Sequence, residues 1–201
     1  MSVSWNPPTI ASIVEGDGEV RALPKLLHRI SIELGVPDLR TPPPMRIPRG
    51  RITMAGGIER AVEAEAMRVP RKGGVLVLLD AGDDCPAECG PLLLARAEAA
   101  RPDRQVSVVL ANREFEAWFL AAAPSLGGQF GFPTDFARPR SPESPRDCKG
   151  LLTKARPNGQ PYKETVDQAP LASAFDLKMA REHSDSFDKF YREVSALLGV
   201  E

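Results

Sequence analysis

The sequence predicts an α/β fold with a mainly parallel sheet flanked by helices and followed by a C-terminal helical extension. Short apolar runs alternate with segments of helical periodicity in the order β-α-(β)-α-β-α-β-α, which is typical of this class. The run VLVLL at 75–79 has no polar interruption, as expected of a strand covered on both faces of a parallel sheet. Right-handed crossovers then bring the carboxyl ends of the strands to one edge.

The first strand is predicted at Ile10–Val14, and helical apolar spacing follows from Val20 to Leu34. We expect the regular part of this helix to begin near Pro24, because proline is tolerated in a first turn. The proline-rich stretch at 42–51 allows at most an edge strand. Its three arginines are interpreted either as phosphate contacts or as solvated side chains.

Helical spacing returns at 58–69 and again after Gly90–Pro91, where a helix is predicted to run to Arg101. A valine-rich strand is predicted at 105–111 and is expected to run directly into a helix over 112–120. In this helix Trp118 and Phe119 are expected to be core residues rather than base-stacking ones.

Three regions are predicted. Residues 1–123 form the α/β core, residues 124–147 form a Pro/Gly-rich lid, linker or partner site, and residues 148–201 form a helical segment packed on the core. Short helices are predicted at 148–155 and 171–181, and a longer one over 184–198 is capped by Ser184 or Asp185.

The composition of the chain restricts the class of protein to which it can belong. The formal net charge is −1, so any contact with nucleic acid requires a local basic patch. No apolar run approaches the roughly 20 residues of a membrane helix, and the N-terminus lacks the features of a signal peptide, so a cytoplasmic protein is predicted. Cys85 and Cys89 lack the second close pair of a zinc site, and the three cysteines are interpreted as ordinary reduced thiols.

Acidic side chains follow each of the three main predicted strands. They are Glu15 and Asp17, then Asp80, Asp83 and Asp84, then Glu114 and Glu116. Like charges about 4 Å apart repel by roughly 4 kcal/mol at an effective dielectric near 20, so converging carboxylates must take up protons or bind a cation. Oxygen ligands favour Mg²⁺ or Mn²⁺, which supports phosphodiester cleavage or phosphoryl transfer. Helix capping is the alternative role, above all for Asp17, Asp83 and Asp84.

Three strand-end motifs resemble those of a Toprim-like bacterial family of unknown function, related to the nuclease domains of overcoming-lysogenization-defect (OLD) proteins. The motifs are IVEGDGE at 13–19, LLDAGDDCP at 78–86 and REFEAWFLA at 113–121. The similarity continues through KGLL at 149–152, YKETVDQ at 162–168 and the helix that contains Ser186–Phe187, so it covers nearly the whole chain. It implies a Toprim/Rossmann-like sheet.

The resemblance also implies roles for single residues. Glu15 corresponds to the glutamate that acts as general acid/base or metal ligand, and Asp80 corresponds to the first, Mg²⁺-binding aspartate of a DxD motif. Gly82 stands where the second aspartate is expected, so Asp83 or Asp84 is the candidate substitute.

A later glutamate joins the metal site in OLD-type nucleases, and the resemblance assigns this role to Glu114 first and Glu116 second. Arg113 and Lys149 are candidate contacts to substrate phosphate; for Lys149, a solvated side chain is the alternative.

The resulting hypothesis is a Mg²⁺- or Mn²⁺-dependent nuclease or phosphoesterase that serves phage defence or DNA repair. OLD-type systems join their Toprim unit to an ATPase, and this sequence has no Gly-Lys-Ser/Thr phosphate loop, so a separately encoded ATPase is the expected partner. The alternative is a non-catalytic Toprim-like subunit that binds a protein partner or nucleic acid. A small-molecule phosphatase-like enzyme is a third reading, without a nucleophile motif to support it.

Overall fold

Four strands form one parallel sheet in the computed structural model, which describes residues 7–70, 73–157 and 159–200. The strands are β1 (Ile10–Val14), β2 (Met45–Arg46), β3 (Gly74–Asp80) and β4 (Gln105–Ala111), in the order β2-β1-β3-β4. Every pairing is parallel, with Val14 beside Leu78 and Asp80 beside Ala111. The predicted α/β fold is therefore confirmed, and β2 is the edge strand that its flanking prolines permit.

Helices cover both faces of the sheet. In the described part of the chain they are α1 (Asp17–Glu33), α2 (Arg49–Ile52), α3 (Gly57–Ala66), α4 (Pro86–Ala100), α5 (Ala117–Ala121), α6 (Cys148–Lys154), α7 (Glu164–Ala172), α8 (Leu177–His183) and α9 (Asp185–Leu198). One hydrophobic core joins β1, β3 and β4 to α1, α5 and the C-terminal helices, and includes the fully buried Trp118 and Phe119, as predicted. A second core lies under α3 and α4.

The C-terminal helices lie against the first half of the fold. α7 packs closely on α1, because Gly18 has no side chain: a Cβ atom there would lie 2.2 Å from Gln168 Oε1 and 2.9 Å from the Glu164 carbonyl oxygen. α9 packs on β4 and begins as predicted, with the Ser184 side chain accepting a hydrogen bond from the Phe187 N–H. Tyr162, Gln168 and Lys149 consequently lie near Glu116, at the carboxyl edge of the sheet.

Three predicted helix starts are wrong. α1 begins at Asp17 and keeps Pro24 in its interior, because Glu19 caps its first turn. α4 begins at Pro86, a favoured first position, rather than at Gly90. α5 begins only at Ala117, since residues 112–116 turn beneath the end of β3.

The predicted helix over 171–181 is also wrong, because the structure divides this region between α7 and α8. Arg29 donates hydrogen bonds to the carbonyl oxygens of Ala172 and Phe175, which terminates α7. The Asp176 carboxylate then accepts the Met179 N–H and starts α8. Sequence periodicity did not detect these two capping interactions.

Residues 124–147 contain turns and most of a 3-10 helix, Ala123–Leu126. The rings of Phe132 and Phe136 stack with centroids 4.4 Å apart. Glu143 accepts hydrogen bonds from Ser184 and Ser186, which ties this loop to the start of α9. Among the described helices, none combines the length and the apolar character needed to cross a membrane.

Candidate carboxylate site

Four carboxyl groups gather at the carboxyl edge of the sheet. Glu15 follows β1, Glu19 lies in the first turn of α1, Asp80 ends β3, and Glu116 lies in the turn after β4. We call these four residues the carboxylate cluster. Their charges act on one another: those of Glu19, Glu116 and Glu15 all raise the pKa of Asp80. The cluster thus forms where the sequence predicted that acidic side chains would meet.

Asp80 lies at the centre of the cluster. Its Oδ1 atom accepts the Phe115 N–H at 2.8 Å, so its carboxylate holds the turn that follows β4. Burial is the largest cause of its pKa shift, the neighbouring carboxylates add to it, and together they raise the pKa well above the ordinary value. A negative charge on Asp80 is therefore less favourable here than on an exposed aspartate.

Glu116 is the most enclosed member of the cluster, with no solvent exposure. Its Oε1 atom accepts hydrogen bonds from the Tyr162 hydroxyl at 2.9 Å and from Gln168 Nε2 at 3.3 Å. Its Oε2 atom is buried and has no hydrogen-bond partner among the described residues. Burial raises the pKa of Glu116 to about 7, which puts it in the range where a carboxyl group can exchange protons at neutral pH.

Glu15 and Glu19 differ in their hydrogen bonding. Glu19 Oε2 accepts the backbone N–H groups of Gly16 at 2.6 Å and Glu15 at 3.1 Å, and this capping stabilises the start of α1. Glu15 Oε2, in contrast, is a second buried oxygen without a hydrogen-bond partner in the described part of the chain. Burial raises the pKa of Glu15, and the positive charges of Arg49 and Lys149 oppose this. Burial and the charge of Glu15 also raise the pKa of Glu19.

Lys149 is a cation that faces the cluster from α6. Its charge lowers the pKa of Glu15, Glu19 and Glu116. Its Nζ atom donates to Glu164 Oε2 at 2.6 Å, and its own backbone N–H donates to Glu114 Oε2 at 3.3 Å. Burial opposes the lysine charge, yet the surrounding carboxylates outweigh burial and raise the pKa of Lys149.

Of the residues predicted for the site, the structure brings Glu15, Asp80 and Glu116 together, with Lys149 beside them. Glu114 is half-buried next to Lys149, and Glu116 rather than Glu114 acts on Asp80. Which of these two glutamates would join a metal site stays a prediction.

Asp83 and Asp84 lie at the exposed rim instead. Asp83 Oδ1 accepts from Arg113 at 2.6 Å, and Asp84 forms an ion pair with Arg49. Gly82 precedes them with φ +59°, and a Cβ there would have nothing within 4 Å. The glycine therefore serves a left-handed turn rather than a close contact.

Several site residues were not among the predicted candidates: Glu19, Tyr162, Glu164 and Gln168. The motif that contains Tyr162 and Gln168 contributes to the family resemblance, but no local pattern indicates that it reaches the end of β4. For Glu19, the available signal was its position three residues after Gly16, which is the spacing of a capping side chain.

The cluster offers the ligand atoms that Mg²⁺ or Mn²⁺ prefers, since all four groups are carboxyl groups. Two of their oxygens have no hydrogen-bond partner within the described ranges. Among the described residues, however, no three His, Cys, Asp or Glu side chains are positioned as they stand to hold one metal ion. Binding an ion therefore requires side-chain rotation and the loss of protons held by groups of raised pKa.

Comparison with known proteins identifies the family. A family model described as a domain of unknown function, DUF4276, matches residues 14–195, which include the whole carboxylate cluster and most of α9. No match is found among curated proteins or solved structures. Since the matched region spans most of the 201 residues, the chain belongs to the DUF4276 family.

Proposed function

We propose that this protein is a Mg²⁺- or Mn²⁺-dependent nuclease or phosphoesterase of the Toprim type. The main support is a pair of buried carboxylate oxygens, Glu15 Oε2 and Glu116 Oε2, that have no hydrogen-bond partner among the described residues. They lie at the edge where β3 ends with Asp80. Two such oxygens destabilise a folded protein unless a proton, a water or a cation satisfies them. A hard divalent ion satisfies both and lowers the repulsion between the groups.

The roles of the residues follow from their environments. Glu15, Asp80 and Glu116 would hold the ion, which supplies Lewis-acid stabilisation of charge on a phosphate. Tyr162 and Gln168 both donate to Glu116 Oε1 and so direct Oε2 away from them. Glu116, whose pKa is about 7 in the metal-free protein, would release its proton as the ion binds. Lys149, which pairs with Glu164 in the ligand-free protein, would contact a substrate phosphate.

The resemblance of the three strand-end motifs to Toprim and OLD-type domains supports the same reaction class. It also supports a role in phage defence or DNA repair together with a separately encoded ATPase. The biological role and the ATPase partner are supported by the motifs alone, whereas the reaction class is supported by the motifs and by the carboxylate cluster.

A non-catalytic subunit that binds a protein partner or nucleic acid is the second candidate. Two observations favour it: Gly82 stands in place of the second DxD aspartate, and no preformed three-ligand site occurs among the described residues. In that case protons would neutralise the cluster permanently.

Metal titration and cleavage separate the two candidates. Calorimetry with Mn²⁺ and cleavage of plasmid and oligonucleotide DNA would compare the wild type with Asp80→Asn, Glu116→Gln and the control Glu98→Gln, an exposed residue of α4. We expect metal-dependent cleavage by wild type and control, and its loss in both cluster variants. Equal cleavage by all four proteins, or no Mn²⁺ binding by the wild type, would refute the enzymatic proposal.

A further inference from the structure

Three ion pairs at the rim of the carboxylate cluster involve two adjacent aspartates. Asp83 and Asp84 are consecutive, yet they bind arginines from different parts of the chain. Asp84 pairs with Arg49 of α2. Asp83 accepts a hydrogen bond from Arg113, which follows β4, and forms a second ion pair with Arg146 at 3.3 Å. Three arginines distant in sequence thus converge on two adjacent carboxylates.

Two of these arginines, Arg49 and Arg113, are more buried than the aspartates, whereas the Arg146 side chain is 75% exposed. The side chains of Arg49 and Arg113 are 22% and 28% exposed, against 58% for Asp84 and 69% for Asp83. Arg113 Nη1 also donates to the Gly82 carbonyl oxygen at 3.1 Å, and its backbone has φ +68°. A left-handed conformation is unfavourable for a residue with a Cβ, so this position is one that the surrounding structure imposes.

Arg49 adds an observation that points to a ligand. Its Nη2 atom binds Asp84, but its Nη1 atom is buried and has no hydrogen-bond partner among the described residues. A guanidinium presents donors in a fork that matches the oxygens of a phosphate. The Nη1 side of the Arg49 fork therefore has a donor free. The charge of Arg49 also lowers the pKa of Glu15 inside the cluster.

We propose that Arg49 on one side, and Arg113 with Arg146 on the other, form two neighbouring phosphate-binding positions that Asp84 and Asp83 occupy in the ligand-free protein. Asp83 and Asp84 are consecutive, so their Cα atoms are about 3.8 Å apart, yet their side chains bind different arginines. The two positions are therefore adjacent, as are the phosphates along a nucleic-acid strand. The ligand is the phosphodiester backbone of such a strand, which displaces both aspartates on binding. This inference rests on the proposed function, since it places the strand beside the cluster.

Binding of a labelled single-stranded DNA oligonucleotide, followed by fluorescence anisotropy in EDTA, tests this proposal without cleavage. Arg113→Ala and Arg146→Ala should each weaken binding about tenfold and lower the slope of log K against log salt by about one. Asp83→Asn should tighten binding about fivefold, because it releases two arginines.

The matched control is a second exposed ion pair at the opposite end of the sheet. Asp103 is 58% exposed and pairs with Arg101 at 2.7 Å. Asp103→Asn changes the net charge by the same amount as Asp83→Asn and should leave binding unchanged. Equal tightening by both asparagine variants, or wild-type binding by the arginine variants, would overturn the proposal.

The two proposals fail separately. If the arginine and Asp83 variants bind the oligonucleotide like the wild type while metal-dependent cleavage is intact, the phosphate positions alone are refuted. The expected effects in EDTA, combined with no cleavage by the wild type in Mn²⁺, would refute the enzymatic function alone.

Discussion

Replacing Glu116 by glutamine should change how stability depends on pH. Burial raises the pKa of this carboxyl group from an ordinary 4.5 to about 7 in the folded protein. Between these values the folded state keeps a proton that the unfolded state has lost, so the free energy of unfolding falls as pH rises. Each unit of difference between the folded and unfolded pKa corresponds to about 1.4 kcal/mol. Above pH 7 the raised pKa of Glu116 therefore lowers the free energy of unfolding by about 3 kcal/mol.

Glutamine has nearly the same shape and no ionisable proton, so Glu116→Gln removes this penalty. Urea denaturation followed by circular dichroism would measure the free energy of unfolding of both proteins from pH 5 to pH 8. The difference in favour of the variant should grow by about 2.5 kcal/mol over that range. Glu98→Gln, an exposed control, should show a constant difference. A constant difference for Glu116→Gln as well would refute the proposed burial of the charge.

Two further substitutions test how the C-terminal helices support the cluster. Gly18→Ala should destabilise the fold by about 2 kcal/mol, because its Cβ would displace Gln168 and the backbone of α7. Gly50→Ala, which has nothing within 4 Å, should be neutral or slightly stabilising in the same urea denaturation. Tyr162→Phe removes a hydroxyl that lowers the pKa of Glu116, so the pH-dependent loss of stability should extend to higher pH, and an unchanged profile would contradict this role.

The strands were the most predictable elements, because burial on both faces of a parallel sheet leaves an apolar run in the sequence. The structure places β1 at Ile10–Val14 and β4 at Gln105–Ala111, the predicted residues. α9 was predictable for a similar reason, since its apolar face and its Ser184 cap are both local signals. These elements need no knowledge of distant contacts.

Segments shaped by distant contacts were not predictable. The turn after β4 exists because the Asp80 carboxylate accepts the N–H of Phe115, a residue 35 positions later. Glu116 consequently enters the cluster, whereas periodicity placed it on a regular helix. The contribution of Tyr162 and Gln168 has the same origin, since only the packing of α7 on α1 brings them to the edge of the sheet.

The electrostatics of the cluster favour a functional role over a structural one. Glu116 alone lowers stability by about 3 kcal/mol above pH 7, a large part of the 5–15 kcal/mol that stabilises a typical domain. Glutamine in its place could also accept the hydrogen bond from Tyr162, without the charge. A subunit that needs only a stable edge for a partner gains nothing from this penalty, whereas a site that exchanges protons for a cation depends on it. Glu15, with its own unpartnered oxygen, leads to the same conclusion.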